Sequence, residues 1–151
     1  MKKAFSLLEI IFAITVMALI ASFIVKNSST VLEKATLTKT KTEISLIRHA
    51  LNMNKNSRIQ LGLSPYPSSL DSAKNNTPNE LLFAGNNEQR LLLHPLIATT
   101  TFEKEVGSFA KISSKTYYLY VNNNEFIKFE YDKNEGTFNC DNTNNLCKEL
   151  E

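Results

Sequence analysis

Residues Phe5 to Val25 form a run that is apolar or small except for Ser6, Glu9, Thr15 and Ser22. As a helix rising about 1.5 Å per residue, a run of this length matches a bilayer hydrocarbon core of roughly 30 Å. It leaves no polar stripe for water, so the spacing predicts a span rather than a surface helix. Glu9 is the one ionisable residue inside it. A charge at such a depth is costly and marks a functional position by default. Beyond the run about 125 residues remain, enough for one modest domain with a small core.

The run is preceded by Lys2, Lys3 and the small residue Ala4, and it begins Phe5-Ser6-Leu7-Leu8-Glu9. A basic leader, a small residue, Phe and then Glu at the fifth position after the junction resemble the processing signal of type IV prepilins and pseudopilins. The resemblance covers about the first 30 residues. It implies cleavage by a prepilin peptidase between Ala4 and Phe5, N-methylation of Phe5, and a role in subunit assembly for Glu9. In that family the glutamate is thought to neutralise the amino group of a neighbouring subunit. Three positions depart from the family's habit. Ala4 stands where Gly is usual before the cut, and Ala18 and Lys26 stand where the family often has Gly and Pro. The last two are better helix formers than what they replace.

The formal charge of +2 comes from Lys2 and Lys3, since the remainder of the chain carries 15 basic and 15 acidic side chains. Its distribution is uneven. Between Lys26 and Leu61, seven basic residues (Lys26, Lys34, Lys39, Lys41, Arg48, Lys55 and Arg58) stand against Glu33 and Glu43, whereas from Gly62 onward eight basic residues stand against twelve acidic ones. This asymmetry would orient neighbouring subunits, offer a basic strip to an anion, or simply solvate a helix face. The lysines ahead of the run place its N-terminus in the cytoplasm and the bulk of the chain in the periplasm. Cys140 and Cys147 are the only cysteines, and an even pair behind an export signal favours a disulfide. A metal site there would need two more ligands, and His49 and His94 are distant in sequence.

After Val25 no helix breaker occurs until Gly62 and Pro65, and Leu37, Ile44, Ile47 and Leu51 recur at helical spacing. One helix is expected from Phe5 to Gln60, roughly 84 Å long. Thr77-Pro78-Asn79-Glu80 reads as a capped helix start, with Leu81, Leu82 and Phe83 as its buried face and Gly85 as its stop. Leu91 to Pro95 is expected to pack inward. From Ser108 the period becomes two. Tyr117, Leu119 and Val121 alternate with Tyr118 and Tyr120, and Ile127, Phe129 and Tyr131 with Lys128 and Glu130. Turns at Asn122–Asn124 and Asp132–Gly136 complete an antiparallel meander of three strands, or four with Phe109 to Ser113. One apolar sheet face needs a cover, and the helix stripe supplies it.

The expected fold is therefore α+β and pilin-like: a long N-terminal helix, membrane-spanning in its first half, packed on a small C-terminal antiparallel sheet. Its parts are a leader (1–4), the transmembrane half of the helix (5–25), its periplasmic half (26–61), a loop and short-helix connection (62–107), and the sheet with a C-terminal disulfide loop (108–151). No catalytic constellation, phosphate loop, cofactor motif or metal cluster stands out. Asp132, Asn134 and Gly136 echo a calcium loop, but a plain hairpin turn is the simpler reading. Strand core likewise accounts for most of the aromatics that would otherwise stack single-stranded DNA.

The resemblance implies a structural subunit of an inner-membrane-anchored filament serving type II secretion or DNA uptake, or a pilus subunit for adhesion or motility. Its partners would be other pilin subunits, the prepilin peptidase, an assembly platform, membrane lipid and, more weakly, nucleic acid. The reading from another class is a periplasmic binding module or enzyme for which Met1 to Ala21 is an ordinary secretory signal.

Overall fold

The computed structural model describes residues 7–86, 89–141 and 145–150, without the side chains of 23–33. Within it, α1 runs from Leu7 to Gln60. Six strands follow: β1 (Leu81–Leu82), β2 (Leu96–Ile97), β3 (Phe109–Lys111), β4 (Thr116–Tyr120), β5 (Phe126–Asp132) and β6 (Thr137–Cys140). A short α2 (Asn145–Leu150) comes last. The chain is thus mixed helix and sheet, with an N-terminal helix and a C-terminal antiparallel sheet. It divides into two compact units, residues 1–36 and 37–151.

The end of α1 lies where the sequence places it. The Leu63 amide donates to the Arg58 carbonyl, and Gly62 adopts φ 71°, the left-handed conformation that closes a helix. In the second unit, the apolar stripe of α1 is buried through Ile44, Ile47 and Leu51, with Leu37 packed at its margin. These side chains share one core with the inner face of the sheet.

That sheet is a four-stranded meander in the order β3-β4-β5-β6. Register pairs Tyr117 with Phe129, Leu119 with Ile127 and Tyr131 with Phe138, all buried, while Tyr118 faces Lys128 and Glu130 faces Asn139 on the other side. The clean alternation of β5 follows from one dry and one wet face. Tyr120 breaks the pattern. It points outward yet is buried, beside Phe126 with ring centroids 6.2 Å apart. Both turns behave as their residues dictate. Asn122 Oδ1 accepts from the amides of Asn124 and Glu125, and the Asp132 carbonyl accepts from Gly136.

Two expectations for the connection are corrected. Thr77 to Glu80 does not start a helix: Asn79 has φ 61°, and β1 pairs with β2, flanked by hydrogen bonds between Asn79 and Ala98 and between Ala98 and Glu80. The same four residues fit a turn with Pro second and Asn third, and antiparallel pairing then satisfies the backbone without a helix. Of the Leu91 to Pro95 stretch, Leu91 and Leu92 are buried but Leu93 and His94 are exposed. No sequence signal announced α2, which carries Cys147 and Leu150 into the core.

Cys140 and Cys147 form a disulfide with a Cα–Cα distance of 5.9 Å. It ties α2 to the last strand across a short loop. Replacing both cysteines by alanine is expected to cost about 2–3 kcal/mol, measured as a lower unfolding midpoint of the oxidised protein, with the parent under reducing conditions falling to the same level.

Candidate functional site

From Leu7 to Ser22 every side chain of α1 is exposed, including Leu7 (77 %), Phe12 (70 %), Met17 (68 %) and Leu19 (72 %). Successive helical residues are about 100° apart, so these side chains make the surface apolar all round rather than along one stripe. Even the hydroxyl of Thr15 is used within the helix, donating to the Phe12 carbonyl at 2.8 Å. An exposed apolar surface of this kind is an interaction surface.

Glu9 is exposed in the first turn of α1. The amides at a helix start favour a carboxylate there, so its charge is compatible with the fold on electrostatic grounds alone. What the position offers chemically is a single anion on an otherwise apolar surface, a docking point for one cation. Ala4 and Phe5, the expected cleavage and methylation residues, lie outside the described residues, as does part of the span expected over 5–25. Among the described residues no helix is long and apolar enough to cross a membrane. Their share of the run, Leu7–Ser22, is shorter than the roughly 20 residues a crossing needs.

The basic strip expected along α1 is engaged in the fold rather than gathered for an anion. Lys39 pairs with Glu43 at 3.5 Å, and Arg48 donates to the Phe138 carbonyl and to Asn139. Lys55 lies 5.5 Å from the centre of the Tyr66 ring, and the buried Arg58 donates to the Ser64 carbonyl. Most aromatics are core, as expected. Phe83, Phe109, Tyr117, Phe129 and Phe138 form one cluster with centroid separations from 4.8 to 6.3 Å. Tyr118 and Phe126 stack on each other on the outer face. His49 and His94 are both exposed.

A buried polar cluster escaped the sequence reading. Asp71 and Lys111 form an ion pair at 2.6 Å with side chains 0 % and 5 % exposed. The Asp71 carboxylate also accepts from the Tyr117 hydroxyl and from the amides of Ala73 and Phe83. The Lys111 ammonium has two further acceptors, the carbonyls of Asp71 and Ala73. The groups satisfy one another, which is the condition for a tolerable buried pair. The arrangement fixes Phe83, whose φ of 57° is uncommon for an aromatic residue, and ties the connection to β3 and β4. Nothing in the sequence beyond a lone Asp in a serine-rich loop signals it.

Comparison with protein-family models, with curated proteins and with solved structures finds no match.

Two outcomes follow from the buried cluster. Asp71→Ala or Lys111→Met alone is expected to cost about 3–5 kcal/mol, by stranding a buried charge. The double substitution should cost less than the sum, which chemical denaturation of the three variants measures. Burial and the Asp71 carboxylate push the Tyr117 phenol above its ordinary 10.0, and burial does the same for Tyr131. The native protein therefore holds protons that the unfolded chain releases. This stability is complete below about pH 10 and is lost as the pH rises beyond it. Phenolate absorbance should show Tyr117 and Tyr131 ionising only together with alkaline unfolding.

Proposed function

We propose that this chain is a pseudopilin or minor pilin, a structural subunit anchored in the inner membrane and drawn into a pilus-like filament. The observation that carries the reading is the first part of α1, apolar around its circumference with Glu9 as its one ionisable residue from Leu7 to Ser22. A helix of that composition is stable in lipid or in a bundle of like helices, and a filament subunit needs both environments in turn. The long N-terminal helix followed by an antiparallel sheet is compatible with a pilin fold. The prepilin-like residues from Lys2 to Glu9 give the same direction.

In this role Glu9 provides assembly energy. An unpaired carboxylate inside a helix bundle is costly, and pairing it with the N-terminal amine of an incoming subunit removes that cost. Subunits in register are thereby favoured over subunits out of register. The sheet unit stays outside the bundle and carries the surface that meets cargo, which is exported protein or incoming DNA. The two neutralising halves of the charge distribution give the processed chain no net charge, which favours protein cargo over a polyanion.

Glu9→Ala tests the role. The variant should reach the membrane fraction in parental amounts and lose incorporation into sheared filaments or cross-linked assemblies. Undiminished incorporation would contradict the role given to Glu9.

A further inference from the structure

Between Ser45 and Gln60, α1 carries three charged side chains, Arg48, Lys55 and Arg58. All three are spent on the globular unit. Arg48 reaches the Phe138 carbonyl at 2.9 Å, Lys55 lies over Tyr66, and Arg58 is buried with its Nε donating to Ser64. The exposed face has none. An ordinary surface helix is the reverse, with charge toward water and none toward the core.

The bare face has a regular order. Thr42, Leu46, His49, Met53, Asn56 and Gln60 recur in alternating steps of four and three, the spacing of a helix–helix seam. All six are exposed, Leu46 at 52 % and Met53 at 64 %. The positions flanking the seam, Ser45, Ala50, Asn52 and Ser57, are uncharged as well. The residues opposite it, Ile44 and Leu51, are those buried in the core. Toward the N-terminus the pattern ends at Lys39, which occupies the next seam position and pairs with Glu43.

We infer that this face of α1, centred on Leu46 and Met53, packs against the same face of a second copy of this chain. The choice of partner follows from the missing charge. Two identical helices laid side by side oppose like charge with like, so self-association is favoured by a seam and flanks that carry none. A different protein would ordinarily be selected through complementary charges, which this face does not offer. The inference deepens the filament reading and rests on it for where copies meet. It places a subunit contact on the globular unit, separate from the Glu9 end of the helix.

Single cysteines test it in the full chain, because both native cysteines are held in the Cys140–Cys147 disulfide. Leu46→Cys and Met53→Cys, treated in membranes with a short bis-maleimide, should give a dimer of this chain. Lys41→Cys, exposed but off the seam, and Glu125→Cys, on the turn between β4 and β5, should not. Adding Met53→Glu to the Leu46→Cys chain should abolish the dimer while leaving the unfolding midpoint in place. No dimer at the seam positions, equal yield at the control positions, or an adduct with another protein would each overturn the inference. A chain that starts at Phe5 without a seam dimer would sink this contact and leave the filament reading intact. A seam dimer in a chain with a different mature start would support the contact and remove that reading.

Discussion

A helix that is apolar around its whole circumference has to be removed from water, and the rest of the molecule follows from that requirement. At about 25 cal/mol per Å² of apolar surface, leaving side chains such as Phe12 and Leu19 solvated costs far more than helix propensity can return. Lipid and a bundle of similar helices both meet the need. Neither tolerates an unmatched carboxylate easily, which is why Glu9 matters more than any other residue in the run. A residue whose charge is costly in isolation and favourable when paired converts proximity of subunits into a preference for one register.

The second unit answers a different demand. It must fold on a helix that continues from an apolar segment, without adding an aggregation-prone surface of its own. Core packing of Ile44, Ile47 and Leu51 against the sheet supplies most of the cohesion. The edge strands are occupied. β3 accepts from the amides of Asn76 and Thr99, and β6 accepts from Arg48. Asp71 then organises the connection, since one carboxylate gathers an ammonium, a phenol and two amides from four parts of the chain. Removing water from this set makes each bond stronger and each vacancy dearer. The disulfide does for α2 what Asp71 does for the connection.

Local signals were legible and distant ones were not. The end of α1 near Gln60, its buried stripe, the alternation of β5 and the Asn and Gly turns are all written in spacings shorter than about ten residues, where backbone geometry alone fixes which face a side chain takes. Thr77 to Glu80 shows how such signals fail: Pro followed by Asn suits a helix start and a turn equally, and pairing with Ala98 decided between them. The Asp71–Lys111 pair joins residues 40 apart, each of a type usually found in water, so composition points to the surface for both. Of the candidate site, the apolar run and Glu9 were visible at once. The uncharged outer face of α1 became visible only when the cations around it were seen to turn inward.

The most direct test of the central claim is the start of the mature protein, read by mass spectrometry of the chain extracted from membranes. The filament account predicts a chain beginning at Phe5 with a methylated amino group, which places Glu9 at the fifth position of the mature chain. A chain beginning at Ser22 would contradict it, since both the apolar run and Glu9 would then have been discarded with an ordinary signal peptide.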